Sequence, residues 1–311
     1  MAIYPVAAGA PDYSSTSTNK YISAIYSALL VKKFYPTTAF GEIANTDYEG
    51  EIKNGGDSVI IRTRPTIETF KYKKGMVLPI QNPDSPSVSL KINQGDGFSF
   101  AIDRVDEFQS NIKLMNEWSD DAAEQMKQVI DKQVFEDLAL AATDTPVTMT
   151  GSYTTATGIS HTLGTSSSSI SCNDGDEVLA HILELGCVLD ENNIPEEGRF
   201  IVLPAWAIKN LKNSTLKNVY VTGDLESPLR NGKVGTVDRF KLFMSNNLYS
   251  TTSHFAIPFG TKYGLTFATQ ITESRIIDNP FGFGKLMQGL QVYGYNVLKP
   301  EAIGISWIIN S

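Results

Sequence analysis

Residues 70–92 read FKYKKGMVLPIQNPDSPSVSLKI. Val88, Leu90 and Ile92 alternate with Ser87, Ser89 and Lys91, the period-two pattern of a half-buried strand. The residues around Phe70 read as the end of an earlier strand. The loop between the two is long and carries Pro79, Pro83 and Pro86, which cannot donate to a β-ladder. An isolated two-stranded ribbon is marginal in water. This extension therefore needs a cover, from the rest of the chain or from another molecule.

Working outward, Ser58 to Thr63 (SVIIRT) is rich in β-branched residues and predicts a strand after the Asn54-Gly55-Gly56 turn signal. Downstream, Phe98 to Ile102 alternates again, behind an expected turn at Gly95-Asp96-Gly97. Residues 57–103 thus form a strand-rich excursion. The period then changes. In SDDAAEQMKQVIDKQVFEDLALAA, from Ser119, residues Ala122, Met126, Val129, Ile130, Val134 and Leu138 share one stripe. Ser119 is the expected N-cap, and Asp120, Asp121 and Glu124 lie in the first turns, where the helix dipole favours acids.

The flanks are less regular. Residues 1–18 read as a flexible arm, followed by a helix from Asn19 that Pro36 stops. Thr143 to Ser171 is Ser/Thr/Gly-rich and predicts a long exposed loop or an irregular hairpin. A second amphipathic helix is expected from Asp176. Arg199 to Leu203 is a buried-type strand, and Pro204 opens a short helix. Strands are expected near Val219 to Val221, Phe240 to Ser245 and Ser253 to Ile257, and the tail from Gly289 is strand-like. Strands and helices interleave without a β-α-β-α rhythm, which predicts an α+β fold.

Composition narrows the function. The 311 residues suffice for one large domain or two, and 41% are hydrophobic. The formal net charge of −8 argues against a protein whose main task is gripping nucleic acid. There is no run of eighteen apolar residues, so no membrane partner is expected, and the N-terminus lacks the pattern of a secretory signal. Cys172 and Cys187 read as two free thiols in a reducing compartment.

Chemistry-bearing motifs are scarce. His161, His181 and His254 have no metal-ligand spacing, so no metal is expected. Residues 172–177 (CNDGDE) lack the closing Glu of a calcium loop and read as a turn with Asp174 or Asp176 capping a helix. Residues 281–289 (FGFGKLMQG) have Gly282 and Gly284 but neither dinucleotide nor phosphate-loop spacing. No nucleophile elbow or zinc-protease signature occurs. No catalytic residue and no cofactor are expected.

One charge pattern remains. Arg62, Arg64, Lys71, Lys73 and Lys74 crowd the excursion, while Asp120, Asp121, Glu124 and Asp131 lie on the long helix. They are either two solvated faces or complementary surfaces, with the basic ribbon of one subunit on the acidic helix of its neighbour. Such pairing sets register more than affinity.

The order of parts resembles the Hong Kong 97 type of tailed-bacteriophage major capsid protein. GDSVIIRTRPTI, the excursion and VSLKINQGDGFSFAIDRVDEFQSN resemble that family's extended E-loop and the approach to its spine helix. The segment from Ser119 resembles the spine helix itself. GRFIVLPAWAIKNLKN, GTVDRFKLFMSNNL and FGTKYGLTFATQITESRI resemble its axial domain, and GLQVYGYNVLKPEAIGI a returning strand of its peripheral domain. The resemblance implies an N-terminal arm (1–48), an E-loop (49–103), a peripheral domain (104–175 and 286–311) and an axial domain (176–285), with the polar loop 222–233 near capsomer axes. It implies a structural subunit, not an enzyme, forming hexamers and pentamers in an icosahedral virion shell, assembled in the bacterial host cytoplasm. The implied partners are further copies of the chain, a separate scaffolding protein, a portal protein, and packaged double-stranded DNA held weakly and non-specifically. A decoration protein is left open. No Asn and acid partner for Lys71, Lys73 or Lys74 is identifiable, so no covalent crosslink is expected. The competing readings are a tail tube or other ring-forming subunit and, less favoured, a soluble hydrolase.

Overall fold

The computed structural model describes residues 38–48, 58–65, 67–104, 114–142, 145–214, 235–280 and 282–310. The helix expected from Asn19, the strand near Val219 and the loop 222–233 lie outside these residues. In chain order the elements are α1 (Phe40–Ile43), β1 (Ser58–Arg62), β2 (Ser87–Lys91), β3 (Gln94–Asp103), α2 (Leu114–Ala139), β4 (Gly151–Thr154), β5 (Ser160–Gly164), β6 (Ile170–Ser171) and α3 (Gly175–Glu191). There follow β7 (Arg199–Leu203), α4 (Ala205–Lys212), β8 (Thr236–Val237), β9 (Phe240–Met244), β10 (Ser250–Thr251), β11 (His254–Thr261), β12 (Leu265–Asp278), β13 (Gly284–Val297) and β14 (Ile303–Ile309). The fold is α+β, as the irregular interleaving predicts.

A seven-stranded sheet runs β6-β14-β11-β7-β9-β8, with β10 on β11. Its central strands are covered on both faces, which is why RFIVL and IGISWII read as continuous apolar runs. Alternation sends Ile303, Ile305 and Trp307 of β14 to one core, with Phe200 and Val202 of β7 and Ile130, Val134, Phe135 and Leu138 of α2. Ile308, Ile201, Leu203, Ile257 and Phe259 face a second core with Val178, Ile182 and Leu185 of α3 and Leu211 of α4. The sheet is the wall between two cores.

A second sheet, β12-β13-β3, is antiparallel and long. Here the expected turn at Gly95-Asp96-Gly97 is corrected: all three residues sit in β3, paired with β13. A Cβ at Gly97 would lie 3.0 Å from the Gly289 carbonyl oxygen, so the glycine answers a close strand approach rather than a turn.

The 286 boundary between expected domains also fails to follow the hydrogen bonds. It falls inside the β12–β13 hairpin, and β14 pairs with β11 of the expected axial segment through seven residue pairs, His254↔Ile309 to Gly260↔Ile303.

The long helix is present but begins at Leu114, so Ser119 is an interior residue and not the cap. Residues 114–118 (LMNEW) hold no Gly or Pro to stop propagation. The buried stripe is Ile130, Val134, Phe135 and Leu138, whereas Val129 is 52% exposed, one residue off the face that meets the sheet. Residues 151–164 form the hairpin β4–β5, with Met149 and Leu163 fully buried, so the hairpin reading holds and full exposure does not. The α3 helix starts at Gly175 with an Asp174/Glu177 capping box, which is the role of CNDGDE.

Candidate intersubunit surface

β1 and β2 pair from Ser58↔Lys91 to Arg62↔Ser87. The root of this ribbon is anchored. Leu90 is fully buried against Ala268 of β12, with Val59, Ile61 and Ile92 around it. Asn296 donates to the Ser89 carbonyl at 2.7 Å. Gly294 makes room for this: a Cβ there would lie 2.0 Å from the Lys91 carbonyl oxygen.

Beyond Arg62 the ladder ends, so Phe70 does not close a strand. Thr63 donates from its N–H (2.9 Å) and hydroxyl (2.8 Å) to the Pro86 carbonyl. Farther out, the Gln81 amide holds both backbone groups of Glu68 at 3.1 Å. The tip turns at Lys73–Met76 with Gly75 at φ 83°. The prolines remove donors that a longer ladder would need. What remains is a two-legged extension carrying Ile67, Phe70, Tyr72, Met76, Val77, Leu78 and Ile80 exposed, with Val77 at 89% and Ile80 at 92%. An apolar row of this kind on a monomer marks an interaction surface.

Arg62, Arg64, Lys71, Lys73 and Lys74 are all exposed on this extension, and they make no ion pair among the described residues. On α2, Asp120 and Glu124 are exposed and Asp121 is half-buried. Glu124 pairs with Lys127 at 2.7 Å, and Asp121 accepts from Gln125 at 2.8 Å. Asp131 is a correction. It is 1% exposed and accepts from the Ala39 and Phe40 N–H groups, the Asn247 amide and the Ser245 hydroxyl of its own chain. A carboxylate enclosed by four internal donors is withdrawn from any neighbour. Burial raises its pKa despite those bonds.

Sequence spacing missed a grouping that tertiary structure creates. His161 on β5 meets Cys187 and Glu191 on α3, with one donor atom from each lying within 4.8 Å of the others. Only the i,i+4 relation of Cys187 and Glu191 was legible in the chain. Both cysteines are free thiols; Cys172 is buried, and burial and then Glu177 push its thiol up to about 12. Ser169 and His254 also lie 2.8 Å apart, but Ser169 directs a hydroxyl bond to the Thr165 carbonyl, and among the described residues no carboxylate orients His254. That is a loop tether rather than an activated nucleophile.

The architecture matches solved structures over almost its whole length. A chain from Mycobacterium phage Che8 superposes with a TM-score of 0.76 at 23% identity, covering 93% of this chain and 98% of that one. The capsid structure of cyanophage P-SCSP1u gives 0.72 at 15% identity, covering 96% of each. The mature capsid of bacteriophage PhiM1 gives 0.69 at 10% identity, covering 93% of each. This is the fold of phage capsid structures. No protein-family model matches the chain, and no curated protein matches it by sequence.

Proposed function

We propose that the chain is a major capsid protein, a structural subunit and not an enzyme. It self-assembles as hexamers and pentamers into an icosahedral shell around packaged double-stranded DNA. The observation that carries this is the apolar extension Ile67 to Ile80, attached to a capsid fold and left exposed, without a cover among the described residues. Copies of the chain supply the missing partner: each extension lies on its neighbour, which removes apolar surface from water at roughly 25 cal/mol per Å². The basic residues Arg62, Arg64, Lys71, Lys73 and Lys74 orient the contact toward acids such as Asp120, Asp121 and Glu124. The net charge of −8 suits a shell that encloses DNA without gripping phosphates.

In this reading α2 and the β12-β13-β3 sheet form the peripheral domain. The seven-stranded sheet with α3 and α4 forms the axial domain. A separate scaffolding protein and a portal protein complete the assembly, which takes place in the host cytoplasm. No described helix is long and apolar enough to cross a membrane.

The test is electron microscopy of the purified chain, alone and with a candidate scaffolding protein. Closed shells, or rings of five and six, are the expected products. Tubes of stacked rings, or a monomer under every condition, would overturn the proposal.

A further inference from the structure

The His161, Cys187 and Glu191 cluster lies apart from the ribbon, on the face where the β4–β5 hairpin meets α3. Its parts are set by rigid elements. Cys187 and Glu191 are one helical turn apart on α3, so their side chains share a face. His161 is held in β5 opposite Tyr153 of β4. The hairpin is tied to the C-terminal end of α3 by the Thr155 hydroxyl on Glu191 at 2.6 Å and by the Ala156 N–H on Asn192 at 3.1 Å.

Within the cluster, His161 Nε2 lies 3.1 Å from Glu191 Oε2, and Cys187 Sγ lies 3.7 Å from Glu191 Oε1. Donor atoms around a tetrahedral zinc ion stand about 3.4 to 3.6 Å apart, from the usual zinc–ligand distances. A second observation is independent of these distances. The other imidazole nitrogen, Nδ1, lies 3.5 Å from Glu184 Oε1. In metal sites a carboxylate on this side of the ring fixes the tautomer and aims Nε2 at the ion, and Glu184 stands on that side at ion-pair distance. The local field favours a cation too. Asp190 has its counter-ions in Arg199 and Arg239, whereas among the described residues Glu184 and Glu191 have only His161 as a basic partner.

We propose that His161, Cys187 and Glu191 form a binding site for a divalent transition metal of the zinc class, with Glu184 orienting the histidine. Thiolate, imidazole and carboxylate together select zinc over magnesium or calcium, which prefer oxygen alone. A metal–sulfur bond forms at Cys187, and the thiol proton passes to solvent. Cys187 is exposed, so the ion has an entry path, and water completes the coordination. The bound ion pins the β4–β5 hairpin to α3 with bonds between elements far apart in sequence. The site does not depend on the assembly reading.

The experiment uses the untagged full-length chain, stripped with a chelator. Zinc is titrated calorimetrically, and cobalt serves as an optical probe of thiolate coordination. One zinc per chain is expected, with a thiolate-to-cobalt charge-transfer band. Cys187→Ser and His161→Gln should each weaken zinc at least tenfold, and Cys187→Ser should abolish the band. Glu184→Gln, which leaves all three ligands in place, should weaken zinc by about tenfold. Zinc should raise the melting temperature of the wild type and leave that of Cys187→Ser unchanged. No saturable uptake at one equivalent, or an affinity unchanged in both ligand variants, would reduce the cluster to a hydrogen-bonded tether and overturn the proposal.

Discussion

The carboxylate of Asp131 accepts the backbone N–H of Phe40 at 2.9 Å, joining positions 91 residues apart in sequence. The same carboxylate takes the Ala39 N–H at 3.1 Å and the Asn247 amide at 2.8 Å. One helix side chain thus fixes where the chain runs from α1 onto the core and where the β9–β10 connection closes. Removing it as Asp131→Ala strands these donors, and a loss on the order of 3 kcal/mol is expected. Asp131→Asn should be milder. The Asn247 Oδ1 is buried without a partner, and a flipped Asn247 amide can accept from the new side chain. Denaturant midpoints of the unassembled subunit check the order wild type, Asn, Ala. Equal losses for the two variants would contradict it.

His181 supplies an acid sensitivity. Ser306 donates its hydroxyl to the Leu163 carbonyl at 2.9 Å, so His181 Nε2–H donates to Ser306 at 2.8 Å, and Nδ1 is left buried without a partner. Burial lowers the pKa of His181 from 6.5 to about 4. A folded pKa below the unfolded one means that the unfolded chain binds the extra proton first. The contribution is therefore whole above pH 6.5 and is lost as pH falls toward 4, by about 3 kcal/mol in all. Unfolding free energies measured across this range should slope with pH in the wild type and much less in His181→Gln. Parallel slopes would acquit His181.

Val77 and Ile80 are 89% and 92% exposed, so Val77→Asp with Ile80→Asp should change subunit stability by no more than about 0.5 kcal/mol. Under the capsid reading the same pair should abolish shell formation. Arg62→Glu with Arg64→Glu should weaken assembly without unfolding the subunit. Sedimentation of assembled and free protein, beside a melting curve, separates the two effects. Full shell yield from the Asp pair would remove the ribbon from the contact.

Gly294 tests the root. Any side chain there meets the Lys91 carbonyl, so Gly294→Ala should lift β2 from β13 and expose Leu90. Limited proteolysis should then cut between residues 58 and 92 faster than in the wild type. Leu90→Ala should give the same pattern and cost about 2 to 5 kcal/mol. An unchanged digestion rate in both would show that the ribbon needs no anchor.

Much of this molecule was written in local pattern. The stripe from Met126 to Leu138 announced α2, and a cap at Asp174 or Asp176 announced the start of α3, because helix periodicity and caps are properties of neighbouring residues. The alternation of Val88 and Leu90 announced β2, whereas the strand end expected near Phe70 is irregular and the ladder stops at Arg62. The sequence by itself therefore determined most of the elements, the α+β class and the need of residues 63–86 for a cover.

Tertiary structure decided which strands meet and what their side chains then touch. Glycines at 95 and 97 suggested a turn, yet β13 comes close enough to use them as strand residues. Asp131 looked like one more surface acid, yet α1 and the segment 245–247 close over it. His161 and Cys187 have no spacing in common, yet a hairpin folded against a helix brings them together. The reason is physical: periodicity records which face of an element is apolar, and carries no information about the distant element that will cover it.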